Sequence, residues 1–333
     1  MSELQFKDEP KIIQLLNSNA ETNVELGVQL CVGLKGAYSK KIAENLRKHV
    51  LLCLTYGVEQ EYFENLTSLN LSYQGIKSLP PEIAQLKNLR VLNLACNAFK
   101  AIPSEIMALS NLEELLLDYN EITQLPPEIF QLKKLASLSV SFNKIKVLPA
   151  KIGTLKELQI LELAHNELSE LPVEICNLKK LLSLGVGTNK FPAFPPEIGA
   201  LSSLISLGIG GNGFQELPAA IGQLSKLKIL QAGHNQLSKL PAEFSRLSKL
   251  GYLNLSENNF EVFPAPLFTL PSLTRLDLTS NQLTDLVLAP KSLPQLQVLN
   301  VNNNKIAHLS EHIGDLNELF RNHTQLFRYI LEK

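Results

Sequence analysis

Glycine, histidine and cysteine are the residues here whose types could do chemistry, and their spacing decides whether they do. GIGGNGF at 208–214 has the composition of a loop that cradles phosphate, but no long helix follows it, and its glycines keep the spacing of a regular repeat instead. His165 and His234 occupy the same position of that repeat three copies apart, about 14 Å by strand spacing, too far to share a metal. His308 and His312 are closer in sequence, with no third ligand in view. There is no G-x-S-x-G elbow, and no cysteine has an evident histidine partner. The chain is therefore expected to be no enzyme, with no cofactor and no metal.

The elements that position these residues come from one pattern. LEELLLDYNEITQLPPEIFQLKK, residues 112–134, places Leu112, Leu115, Leu117, Asn120, Ile122, Leu125, Pro126, Ile129 and Leu132 at fixed offsets. The same skeleton starts at Leu66 and recurs every 23 residues to Leu296, giving eleven copies without insertion or deletion. The sequence resembles the leucine-rich repeat proteins, whose L-x-x-L-x-L-x-x-N-x-L signature is specific at this level of repetition. The resemblance covers residues 66–318. It implies an α/β fold class: a curved solenoid with parallel strands on its concave face and a helical cap at its start. The L-P-x-E-I form is similar to that of intracellular scaffolds, including Ras-binding and cell-polarity adaptors of eukaryotes, and to cytoplasmic or effector proteins of bacteria.

In each copy the L-x-L segment reads as a short strand whose leucines point inward while the residues between them face out. Stacked at about 4.8 Å, eleven strands make a ribbon about 50 Å long. The asparagine after each strand, Asn97 to Asn304, leaves it at a tight bend, where its amide can satisfy backbone groups of its own and the adjacent coil. Gln74 stands in the first copy as an edge variant. The L-P-x-E-I half reads as a loose helical turn, with Pro80, Pro126 and Pro195 at its first position and Glu82, Glu128 and Glu197 facing its free N–H groups.

Residues 1–65 lack the repeat and read as a helical cap over the first coil. One helix starts at Asp8 and Pro10, and a second opens near Asn23 with Leu26, Leu30 and Leu34 on one side and Val24, Val28 and Cys31 on the other. Ser39 caps a third, whose apolar face is Ile42, Leu46, Val50 and Cys53. Residues 319–333 read as a C-terminal helical cap, with Leu326, Phe327 and Ile330 over the last coil.

Composition narrows the partners. The 31 basic and 32 acidic residues nearly cancel, so no global charge argues for nucleic acid or an anionic membrane. A lysine row (Lys87, Lys133, Lys134, Lys156, Lys179, Lys180, Lys226, Lys249) and the glutamate row of L-P-x-E-I read as solvated charge, without the aromatic interleaving of a nucleic-acid surface. No apolar stretch approaches the roughly 20 residues that cross a bilayer, and the start, MSELQFKDEPK, does not read as a secretory signal. Cys31, Cys53, Cys96 and Cys176 show no paired spacing, which favours a reducing, cytoplasmic location; delivery into another cell stays open.

The outward positions of the strand side point to a contact surface. Copies two to five present Val91, Leu116, Tyr119, Phe142, Ile160 and His165 among Glu114, Asp118 and Glu162. Apolar groups exposed among acids are typical of protein interfaces. Tyr119, Phe142 and His165 fall at one position of three successive coils and should form a ladder. Beside it, Gly185, Gly187, Gly208, Gly210, Gly211 and Gly233 should leave a bare saddle. The expectation is a monomeric, non-catalytic module that binds a partner protein on its concave face. The alternative is the recognition arm of a larger signalling or effector enzyme whose catalytic domain is not in this chain.

Overall fold

A computed structural model of the chain describes residues 8–287 and 292–309. Three-residue strands recur every 23 residues and pair in parallel, from Ser68–Asn70 through Arg275–Asp277 to Val298–Asn300, in one eleven-stranded sheet whose order follows the sequence. Register is strict. Leu69 sits opposite Leu92, Leu115 opposite Leu138 and Leu276 opposite Leu299, so each central strand leucine stacks on its equivalent in the next coil. A one-residue slip would turn this column outward, which is why the pattern fixes the register.

Behind the sheet lies one continuous core. The leucines at the start, strand and bend of each coil are almost wholly buried, joined by Phe99, Phe191, Phe214 and Phe260 in a second layer. The far side of nine successive coils, from Pro81–Gln85 to Ala265–Thr269, is a five-residue 3-10 turn. Helical turns pack more widely than the roughly 4.8 Å between strands, so the stack bends and the strand face becomes concave.

The proline ahead of each turn sits one residue earlier than expected. Pro80, Pro126 and Pro195 are N-cap residues, with φ near the proline value and extended ψ, and their carbonyls accept from the N–H groups of Ile83, Ile129 and Ile198. An N-cap needs extended backbone, which proline supplies without a donor to satisfy. Glu82, Glu128 and Glu197 lie in the first turn but make no capping hydrogen bond.

Five helices precede the sheet: α1 (Glu9–Leu16), α2 (Glu21–Gly33), α3 (Lys40–Leu46), α4 (Val50–Tyr56) and α5 (Gln60–Glu64). In α2 the Val24, Val28 and Cys31 side is buried, while Leu26 and Leu30 face solvent. The expected single helix from Ser39 is two. Ser39 caps α3 through the Ile42 N–H, but the chain breaks at residues 47–49, where tertiary contacts outweigh helix continuation. There His49 Nε2 meets the Leu16 carbonyl at 2.7 Å, and Arg47 turns to Glu59 and lies over the Tyr62 ring. Ile42, Leu46 and Cys53 remain buried. Helix α4 packs on the first 3-10 turn, so the apolar face of the helices continues the repeat core.

The tenth coil departs from the pattern. In place of a described 3-10 turn it forms a short strand, Asp285–Leu286, paired in parallel with His308–Leu309. The expected C-terminal cap at 319–333, together with His312, lies outside the described residues. Among the described residues no helix is long and apolar enough to cross a membrane.

Candidate functional site

The site is built on the bend that ends each strand. In every coil the residue before the ladder position, asparagine in all but the first, has positive φ: Tyr73, Cys96, Tyr119, Phe142, His165, Thr188, Gly211, His234, Glu257, Ser280 and Asn303. Left-handed backbone is unfavourable for side chains with a Cβ, and it persists here because the coil-to-coil ladder imposes it. Tyr119 and Phe142 donate their N–H groups to the carbonyls of Ser141 and Ala164 in the next coil. Below them the asparagine amides lock the bend. Asn143 donates to Leu117 O and Val140 O, each at 3.0 Å, and accepts the Ile122 N–H at 2.9 Å. Every ladder bond to a neighbour reaches the preceding coil, so the ladder runs one way. Gln74 has no preceding coil; it is exposed and makes no side-chain hydrogen bond among the described residues.

Side chains on this bend project from the strand face one above another. Tyr119 and Phe142 stack at 4.1 Å between ring centroids and 9° between planes, and Phe142 and His165 at 3.9 Å and 12°. The expected ladder is therefore present, with Tyr119, Phe142 and His165 all exposed. It extends down the same column to Tyr73 and Cys96, which the sequence reading passed over although they keep the 23-residue offset. Leu116, Val91, Glu114 and Glu162 are half-buried on the adjoining strands, and Ile160 is exposed.

Past His165 the column drops to Thr188 and Gly211, and the face opens into a trough of about 640 Å³. Gly185, Gly187, Gly208, Gly210, Gly211 and Gly233 all line it, so the structure brings together the six glycines expected to form a saddle. Its walls include Glu162 and His165 on one side and His234 and Glu257 on the other, the latter pair joined at 2.8 Å. Ser183, Ser206, Gln231, Asn254 and Ser256 add polar groups that the search for apolar outward residues missed.

The glycines differ in what they permit. A Cβ on Gly208 would meet nothing closer than 3.8 Å, so this floor position is open by composition alone. On Gly187 and Gly210 it would lie 3.0 Å from the next coil's carbonyl, tight contacts that other coils accommodate with Ser, Ala or Asp. The space above Gly185 is taken by the Glu162 carboxylate, which accepts from Ser183 Oγ at 3.0 Å. Burial raises the Glu162 carboxyl above the ordinary glutamate range; the Ser183 hydrogen bond opposes this and the nearby Asp118 adds to it.

Charge on the edges is accounted for differently. Lys144–Glu121, Lys180–Glu157 and Lys190–Glu167 pair from coil to coil at 3.0, 2.6 and 3.1 Å. Lys87, Lys156 and Lys179 donate to the carbonyls of Ala108, Asn177 and Ala200, which end the next coil's 3-10 turns. Much of the lysine row thus ties neighbouring coils together. All four cysteines are free, with Cys31 and Cys53 buried in the helices and Cys176 in the fifth turn.

Parallel strands stacked coil upon coil, with one face open, define a repeat solenoid. A family model described as leucine rich repeat matches residues 64–122, and one described as leucine-rich repeat region matches residues 138–207 and 196–303. The chain belongs to the leucine-rich repeat proteins, a fold that generally serves as a protein-interaction module without catalysis of its own. A leucine-rich repeat protein of Leptospira interrogans is 32% identical, with a TM-score of 0.60 over 78% of this chain and 83% of that one. A TDR receptor is 29% identical, with a TM-score of 0.69 over 80% of this chain. The plant peptide hormone receptor RGFR1, solved in complex with RGF2, is 28% identical, with a TM-score of 0.59 over 77% of this chain. The chain spans 47% and 50% of these two receptor chains. A search of curated proteins finds no match.

Proposed function

We propose that the chain is a non-catalytic, monomeric binding module that holds an extended segment of a partner protein along its concave face, in the glycine trough beside the aromatic ladder. The observation that carries this reading is the trough itself. Its lining runs from the fifth coil (Glu162) to the ninth (Glu257), four strand spacings or about 19 Å. An extended chain rises about 3.3 Å per residue, so roughly six residues fill that length. A glycine floor lets a backbone approach closely, and the stacked rings of Tyr119, Phe142 and His165 offer aromatic anchors at one end. Val91, Glu114, Leu116, Asp118 and Ile160 extend the contact beyond the trough.

In this reading residues 1–65 and 319–333 cap the two ends, repeats 66–318 form the binding body, and the protein works in a reducing, cytoplasmic compartment. RGFR1, solved with RGF2 bound, lends the fold-level precedent of a peptide ligand.

The test is selection from a displayed library of random dodecapeptides, with Gly208→Trp as the counter-target. Gly208 has room for a side chain, so the variant should fold and melt like wild type while filling the trough. Peptides that bind wild type and lose at least tenfold on Gly208→Trp support the reading. Binders that ignore the tryptophan would remove the trough from the site.

A further inference from the structure

The strand face in and beside the trough has an electrical asymmetry. Over the third to eighth coils, the outward strand and bend positions carry three carboxylates, Glu114, Asp118 and Glu162, and no lysine or arginine, in a chain whose charges otherwise nearly cancel. The edge acids Glu121, Glu157 and Glu167 each have a cation within 3.1 Å. Among the described residues, Glu114, Asp118 and Glu162 have none.

Glu162 is the most confined of the three. Its carboxylate lies over Gly185, held by one serine hydroxyl, and both line the trough directly beside His165. A serine at position 185 would collide with it, so the glycine is what lets the acid fold down into the wall. Partly desolvated negative charge with no counter-ion is a cost in the free protein that a cationic ligand removes. The exposed rings of Phe142 and Tyr119, stacked up to His165, supply the apolar flank along which the stem of a long cationic side chain lies.

Resting on the trough as the binding site, we propose that its occupant is a basic extended segment whose arginine is received by the Glu162 carboxylate, with Asp118 reinforcing the field and the aromatic ladder flanking the arginine stem. Asp118 accepts from Ser139 Oγ and the Ser141 N–H, and Glu162 from Ser183 Oγ, but among the described residues none of the three carboxylates has a counter-ion; charge complementarity selects the occupant, because neither an acidic segment nor a second copy of this near-neutral chain supplies one.

The test uses synthetic forms of the dodecapeptides that are lost on Gly208→Trp, with binding read by fluorescence anisotropy. These peptides should be enriched in arginine. Replacing the anchoring arginine by citrulline, which keeps the shape and removes the charge, should weaken binding at least tenfold. Glu162→Gln keeps an acceptor for Ser183 and should cost the arginine peptide a similar factor while leaving the citrulline peptide unchanged. Glu197→Gln, on the opposite side of the solenoid, should leave both peptides unaffected. Trough-dependent peptides that tolerate citrulline, or arginine peptides indifferent to Glu162→Gln, would overturn the arginine anchor while the trough stands. A library with no peptide sensitive to Gly208→Trp would overturn both.

Discussion

Replacing Asn143 by alanine tests the asparagine ladder where its bonds can be counted group by group. The side chain serves four backbone groups: it donates to Leu117 O, Val140 O and, at 3.2 Å, Ser141 O, and it accepts the Ile122 N–H. The three carbonyls are shared. Leu117 O also accepts from Asn120, Val140 O from Asn166 and Ser141 O from the Tyr119 N–H, so each keeps one partner after the substitution. The Ile122 N–H keeps none. One buried, orphaned donor costs about 1–3 kcal/mol, and three weakened carbonyls add about 0.5 kcal/mol each, so the expected loss is about 2.5–4.5 kcal/mol. Gln74 serves no backbone group with its side chain, and Gln74→Ala should stay within about 0.5 kcal/mol of wild type. Urea unfolding with matched m-values measures both, and amide exchange at Ile122 locates the damage. A melt in which Asn143→Ala is no worse than Gln74→Ala, with Ile122 still protected, refutes the reasoning.

Three further outcomes follow from the same geometry. Thr188, β-branched with φ of 50°, should gain from glycine: relief of about 1–2 kcal/mol against a glycine entropy cost of about 0.5–1 kcal/mol leaves a net gain of about 0.5–1 kcal/mol, and a lower melting temperature for Thr188→Gly would contradict it. Glu162→Gln should be more stable than wild type at neutral pH. The native carboxyl is raised, so the folded state holds its proton longer; wild type then loses stability as pH rises from the unfolded value of about 4.3 through the raised native value, and the two proteins should converge below that window in urea melts. Burial pushes the Cys31 thiol up to about 11 and Cys53 up to about 12. Unfolded thiols ionise first, so stability should fall from about pH 8.5 up to those values, with a shallower fall in Cys31→Ala/Cys53→Ala.

How much of this was legible beforehand depends on what repeats. The 23-residue period fixed strand positions, register and buried leucines, because a coil can pack on its neighbour only if equivalent residues coincide. The Tyr119, Phe142 and His165 ladder and the glycine saddle followed from the same offsets. The left-handed column was not read, although it needed only the observation that these residues immediately precede the ladder asparagine. The break at residues 47–49 was beyond local reading, since His49 is held by Leu16 and Arg47 by Glu59, partners 33 and 12 residues away. Glu162 and Gly185 are register partners one period apart, but the period does not say which way the glutamate turns, and only coordinates reveal its descent over the glycine.

That division explains why the strand face is the candidate site. The inward leucines and the asparagines stabilise each coil against its neighbour and leave little room for variation. The outward strand and bend positions contribute almost nothing to that packing, so they accommodate Val, Glu, Gly, Tyr or His on the same backbone. The coils accept those substitutions at a cost that falls on the face alone: left-handed side chains at Phe142 and His165, and a half-buried acid without a counter-ion at Glu162. Each of these is unfavourable in the free protein. On the reading proposed above, an incoming cation would offset the Glu162 charge at one end of the trough. On that reading stability and recognition fall on opposite sides of a three-residue strand, and the alternation of its side chains keeps them separate.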